Sequence, residues 1–153
     1  MSLLNQQAPN FTLENEKGQQ VSLSDFKGKN VVLYFYPKDM TPGCTTEACD
    51  FRDAQEDFSA LNAVILGVSM DDANKHTKFI EKHGLPFSLL VDAEHEVAEK
   101  YGVWVLKKMY GREYMGIERS TFLINEEGIV IAEWRKVKVK NHIEAVLSQL
   151  KGE

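Results

Sequence analysis

Two apolar runs constrain the topology most. Val31-Val32-Leu33-Tyr34-Phe35-Tyr36 and Ala63-Val64-Ile65-Leu66-Gly67-Val68-Ser69 are short, nearly free of polar groups, and rich in β-branched and aromatic residues. Such runs read as strands buried on both faces. Between them, from Cys44 to about Leu61, the apolar residues Phe51, Ala54, Phe58 and Leu61 step by three, four and three, which is a helical period. Strand, helix and strand in that order imply a parallel pair joined by a crossover.

The alternation continues downstream. Asp72 to His83 reads as a helix ended by Gly84 and then Pro86. Ser88-Leu89-Leu90-Val91 is a third strand, and Glu94 to Tyr101 is a short helix stopped by Gly102. Trp104 to Gly116 mixes Lys, Met and Tyr and reads as irregular. Ser120 to Ile124 and Ile129 to Trp134 are strands, joined through Asn125-Glu126-Glu127-Gly128 as an antiparallel hairpin. Lys140 to Leu150 closes the chain as a helix, with Ile143, Val146, Leu147 and Leu150 on one face. Upstream, Phe11 to Leu13 and Gln20 to Leu23 flank a turn at Glu16-Lys17-Gly18 and read as a short hairpin. Parallel pairing first and an antiparallel hairpin with a helix last give a mixed sheet. That order fits a thioredoxin-like α/β fold, a central mixed sheet flanked by helices, with an N-terminal β-hairpin extension. With 153 residues and no repeat or long linker, residues 1–153 are expected to form a single domain.

Charge narrows the partners. A net charge of -5 argues against nucleic acid, which needs a basic face. The one basic run, Arg135-Lys136-Val137-Lys138-Val139-Lys140, reads as a solvated strand edge. No apolar stretch reaches the length of a membrane span, and Met1 to Gln7 lacks the pattern of a signal peptide, so a cytoplasmic location is expected. In a reducing compartment, two cysteines point to reactive thiols more than to a permanent staple. The four histidines, His76, His83, His95 and His142, are scattered and read as surface or helix-end residues. Together with two thiols they make a poor zinc site.

Both cysteines fall in Pro37-Lys38-Asp39-Met40-Thr41-Pro42-Gly43-Cys44-Thr45-Thr46-Glu47-Ala48-Cys49. Thr41 reads as a helix N-cap and Pro42 as the first helical residue. Cys44 then lies in the first turn, where unpaired N–H groups and the helix dipole favour a thiolate. Its acidic neighbours Glu47, Asp50 and Asp53 oppose ionisation, so a cation must come from elsewhere in the fold. Arg119, at the mouth of the Ser120 strand, is the best candidate. Cys44 and Phe51 share a helix face, whereas Cys49 is turned about 140° away. In an intact helix the two Cα atoms would lie roughly 8–9 Å apart, beyond the reach of a disulfide of about 7 Å. On position alone, Cys44 also suits a small core residue and Cys49 a surface one. The spacing is C-x4-C, so the thioredoxin C-x-x-C motif is absent.

At these residues the sequence resembles a peroxiredoxin, and more narrowly the bacterioferritin comigratory protein, or peroxiredoxin Q, subgroup. The family motif Pro-x-x-x-Thr-x-x-Cys is matched by Pro37, Thr41 and Cys44. The subgroup's second cysteine is matched by Cys49 and its downstream arginine by Arg119. Gly102-Val103-Trp104 also follows the subgroup's pattern.

The resemblance implies a thiol peroxidase acting on hydrogen peroxide and organic hydroperoxides. Cys44 would be the peroxidatic thiolate and become a sulfenic acid. Thr41 would hydrogen-bond the peroxide, Arg119 would polarise it, and Pro37 would shape and dry the pocket. Cys49 would resolve the sulfenic acid as an intramolecular Cys44–Cys49 disulfide. The resemblance also implies thioredoxin as reductant, no metal, haem or flavin cofactor, and a monomer with a weak dimer as the alternative. Two other classes compete on the residues alone: a dithiol–disulfide oxidoreductase acting on proteins, and a redox-sensing binding module.

Overall fold

A computed structural model describes residues 2–152. A hairpin of β1 (Thr12–Glu14) and β2 (Gln20–Ser22) comes first, followed by a 3-10 turn at Leu23–Phe26. Next come β3 (Asn30–Phe35), the helices α1 (Pro42–Asp53) and α2 (Gln55–Ala60), and β4 (Ala63–Ser69). They are followed by α3 (Ala73–His83), β5 (Ser88–Val91) and α4 (Glu96–Lys100). The chain ends with β6 (Trp104–Met109), β7 (Arg112–Ile117), β8 (Ser120–Ile124), β9 (Val130–Trp134) and α5 (His142–Lys151). Seven strands form one mixed sheet in the order β2-β1-β5-β4-β3-β8-β9. The run β3-β4-β5 is parallel and β8 and β9 pair antiparallel, as the apolar pattern predicts, while the N-terminal hairpin joins the same sheet antiparallel to β5, which the pattern did not show.

The unbroken hydrophobicity of β3 has a direct cause. Side chains alternate between faces, and both faces are covered. Val31, Leu33 and Phe35 enter one core with Val97 and Ala98 of α4. Val32, Tyr34 and Tyr36 enter the other with Phe51, Phe58, Phe79 and Val146 from the helices opposite. Gly67 on β4 permits the closest packing there. A Cβ at that position would lie 2.7 Å from Leu89 Cδ2 and 2.9 Å from the Tyr34 ring.

Caps set the ends of α3. The Asp72 carboxylate accepts from the Lys75 N–H at 2.9 Å, and Gly84 takes a left-handed φ of 60° past the last turn.

Four expectations change. The helix read from Cys44 to Leu61 is two segments. At Ala54 the N–H turns to the Phe51 carbonyl, a local tightening, yet Phe51 and Phe58 still share one core. The segment read as irregular, Trp104 to Gly116, is the β6–β7 ribbon. Its two-residue tip, Tyr110-Gly111, has φ of 51° and 77°, as a tight hairpin turn requires. Much of the ribbon is exposed, with Leu106, Met109, Tyr114 and Met115 outward, so no clean polar–apolar alternation marked it.

The basic run lies beyond β9 rather than along it. Arg135 is tied inward, donating to the carbonyls of Tyr101 at 3.1 Å and Gly102 at 3.2 Å. His76, inside α3 and 0% exposed, is neither a surface nor a helix-end residue, whereas His142 begins α5 as a helix-end residue but is only 5% exposed. Each is placed by a hydrogen bond to a residue far away in sequence, which no local pattern reveals. Among the described residues, no helix is long and apolar enough to cross a membrane.

Candidate active site

The loop from β3 to α1 leaves the sheet at the C-terminal ends of the parallel strands, where open α/β sheets place their ligands. Pro37 opens the loop and is exposed. Thr41 is the N-cap in backbone terms, and its carbonyl accepts from the Thr45 N–H at 2.9 Å. Its hydroxyl does not cap the helix, as the sequence suggested, but donates to the Lys38 carbonyl at 2.8 Å. The first-turn N–H groups of Gly43 and Cys44 therefore keep their usual unpaired state, and the helix dipole points at the same spot. The Thr41 oxygen keeps its lone pairs for an incoming hydroxyl or peroxide.

Cys44 is 2% exposed and lies against the core that holds Phe51. Arg119, in the connection from β7 to β8, crosses over to it. Its Nη2 donates to Cys44 Sγ at 3.2 Å, and its Nη1 donates to Glu47 Oε1 at 2.7 Å. The cation required by the sequence argument is thus in place, although 75 residues separate it from Cys44.

Glu47 takes a different part from the one its charge suggested. It lies one turn from Cys44 on the same face of α1, is 0% exposed, and is the residue that holds Arg119. Burial pushes its carboxyl up to about 7, while Arg119 pulls in the opposite direction. Among the described residues, its second oxygen, Oε2, and the nearby buried Tyr34 hydroxyl have no partner. The i, i+3 spacing of Cys44 and Glu47 was the signal available for this role.

Gly43 was also missed. A Cβ there would sit 3.1 Å from Arg119 Nη2, so a bare backbone gives the guanidinium its approach to Sγ. Lys107 on β6 belongs to the same field. Burial and Arg119 lower its affinity for a proton, while Cys44 and Glu118 raise it.

Cys49 is half-buried and, like Cys44, is a free thiol on the unbroken α1. The site thus joins Cys44 and Arg119 directly and places Thr41 one turn before the thiol. Pro37 and Cys49 stand at its margins.

The AhpC/TSA family model matches residues 4–133. The chain belongs to that family, the peroxiredoxins. Peroxiredoxin Bcp of Bacillus subtilis (strain 168) is 64% identical over 148 residues, covering 97% of this chain and 94% of that protein. Peroxiredoxin Bcp of Escherichia coli (strain K12) is 44% identical over 144 residues, covering 94% of this chain and 92% of that protein. A structure of Xanthomonas campestris peroxiredoxin Q aligns with a TM-score of 0.89 at 45% identity, covering 94% of this chain and 90% of that one. A second structure from the same organism, described as a bacterioferritin comigratory protein with alkyl peroxide reduction activity, has a TM-score of 0.89 at 44% identity, over 93% of this chain and 90% of that one. This peroxiredoxin therefore falls in the bacterioferritin comigratory protein, or peroxiredoxin Q, subgroup. It is a peroxidase with a thioredoxin-like fold.

Proposed function

We propose that the chain reduces hydrogen peroxide and organic hydroperoxides through Cys44. The observation that carries this reading is the 3.2 Å contact between Arg119 Nη2 and the buried Cys44 Sγ, at a helix start with unpaired N–H groups. The thiolate attacks the terminal peroxide oxygen and the O–O bond breaks. Water or an alcohol leaves once its oxygen is protonated, and Cys44 becomes a sulfenic acid. Arg119 and the first-turn N–H groups are aimed where negative charge develops on the two oxygens. Thr41 accepts a hydrogen bond from the peroxide, and Pro37 walls the entrance.

Cys49 then attacks the sulfenic sulfur. Water leaves, and an intramolecular Cys44–Cys49 disulfide forms. Two facts shape that step: both thiols lie on one intact helix, and five helical positions hold their Cα atoms roughly 8–9 Å apart. The start of α1 must therefore unwind. A dithiol protein of the thioredoxin class reduces the disulfide and restores the helix. The enzyme works as a cytoplasmic monomer and needs no metal or organic cofactor.

A coupled assay with thioredoxin, thioredoxin reductase and NADPH tests this reading. Peroxide-dependent NADPH oxidation is expected with both hydrogen peroxide and an alkyl hydroperoxide. A single stoichiometric loss of peroxide with no turnover would favour the redox-sensor class instead.

A further inference from the structure

A second buried polar cluster lies behind the loop that carries Thr41. Asp39 is 5% exposed and His76 is 0% exposed, and His76 Nδ1 lies 2.6 Å from Asp39 Oδ2. His76 Nε2 lies 2.9 Å from the Leu90 carbonyl, which can only accept, so Nε2 carries a proton. One further proton must then lie between Nδ1 and Oδ2, because two bare acceptors would repel at 2.6 Å. The Tyr36 hydroxyl donates to the other carboxylate oxygen, Asp39 Oδ1, at 2.5 Å. The Asp39 N–H donates to Asp71 Oδ2 at 2.8 Å, and Asp71 Oδ2 also accepts from the Ser69 hydroxyl at 2.7 Å. One loop residue is thus anchored to Tyr36 just past β3, to the loop after β4, and through His76 to α3 and β5.

The anchoring has a visible counterpart in the backbone. Met40, between Asp39 and Thr41, has a φ of 68°, a left-handed conformation that a methionine rarely adopts. Such a residue persists only where its surroundings over-determine it. Here Met40 is 43% exposed, so its own side chain does little to hold it. The fixed point is Asp39. The reward for the strained turn comes at the next residue, Thr41, whose hydroxyl is aimed by this turn and by its bond to Lys38.

We propose that His76, acting through its short hydrogen bond to Asp39, is a positioning residue for peroxide binding: it holds the Asp39–Met40 turn and thereby places the Thr41 hydroxyl beside Cys44. His76 does not touch the reacting atoms. This inference rests on the reading of Thr41 as a peroxide-contacting group, and the test separates the two.

The test is a double-mutant cycle between His76→Leu and Thr41→Val. It reads two rates on the reduced protein: Cys44 oxidation by hydrogen peroxide, and Cys44 alkylation by iodoacetamide at the same pH. Alkylation needs the thiolate but not an aligned peroxide. His76→Leu is expected to slow the peroxide reaction about tenfold or more, since small misplacements at a reacting centre are costly. Alkylation should change less than about twofold, and in the Thr41→Val background the same mutation should cost peroxide reduction less than about twofold, because a missing hydroxyl cannot be misplaced. Asp39→Asn keeps the acceptor for Tyr36 and supplies a proton to His76, so it should retain most of the peroxide rate. If His76→Leu fails to fold, Tyr36→Phe, which removes only the hydroxyl that donates to Asp39, runs through the same cycle with a smaller drop.

Full additivity of the two mutations would overturn the inference. So would parallel loss of peroxide reduction and alkylation, which marks a merely structural role. If Thr41→Val leaves the peroxide rate unchanged, the Thr41 reading fails first, and this inference falls with it. If Thr41→Val is slow and His76→Leu is not, only this inference falls.

Discussion

Glu47 and Arg119 form an ion pair in which the fully buried carboxylate has a single partner among the described residues. Arg119 Nη1 reaches Oε1 at 2.7 Å, while Oε2 is buried without a donor among the described residues. Such a pair is held under tension, because desolvation of the carboxylate is only partly compensated.

The pair makes stability depend on pH. Burial raises Glu47 from 4.5 to about 7, so the folded state keeps its proton where the unfolded chain has lost it. The stabilisation is complete below about pH 4.5 and is lost as pH rises through about 7. His142 acts in the opposite direction. Burial first, and Arg119 second, lower it from 6.5 to about 4, so its contribution is present above pH 6.5 and lost as pH falls through about 4. Each shift corresponds to a few kcal/mol at most, on the order of 3. In urea unfolding at a series of pH values, Glu47→Gln should flatten the decline toward neutral pH, and His142→Gln the decline toward acid. Identical pH slopes for wild type and Glu47→Gln would contradict the assignment.

Arg119→Ala removes the donor from Cys44 and leaves Glu47 buried alone. Peroxide oxidation of Cys44 should slow by about 10²–10³, the size of effect seen when a preorganised donor is lost. The stability loss should be smaller at pH 5 than at pH 8, because a protonated Glu47 no longer needs the cation. A variant with an unchanged peroxide rate would remove Arg119 from the mechanism.

Gly43→Ala is a finer probe of the same contact. Its Cβ would meet Arg119 Nη2 at 3.1 Å, and the guanidinium is held by both Glu47 and Cys44, so it has little freedom to retreat. A fall of about three- to tenfold in the peroxide rate is expected, with the melting temperature little changed. A rate equal to wild type would show that the guanidinium gives way without cost.

The two cysteines should separate by step. Cys44→Ser should abolish single-turnover peroxide consumption. Cys49→Ser should leave that first turnover intact and impair thioredoxin-linked cycling. Equal loss of the first turnover in both variants would contradict their roles.

Disulfide formation should open α1 from its N-terminal end. Amide exchange across Thr45 to Phe51 should rise on oxidation, while β3 stays protected. Phe51 is fully buried and stacks on Tyr34 at 4.7 Å, so it opposes the opening and limits how far it spreads. Unchanged protection across α1 in the oxidised protein would point to a disulfide between two chains, which non-reducing electrophoresis would detect as a dimer.

The sequence by itself determined the strand–helix order, the mixed sheet, and the placement of Cys44 at a helix start, because these follow from local periodicity and from the residues that begin and end helices. It also named Arg119, since the acidic neighbours of Cys44 called for a distant cation. Tertiary structure alone decided which acid served that cation. Glu47, Asp50 and Asp53 read alike in sequence, but only Glu47 faces inward, and burial converts its charge from a hindrance into a clamp. The same holds for His76 and His142. Each is fixed by a partner that the sheet brings close from far away in the chain, Asp39 across 37 positions and Thr121 across 21. The β6–β7 ribbon escaped for a related reason: much of it is exposed, and the periodicity that reveals strands arises only where one face meets a core.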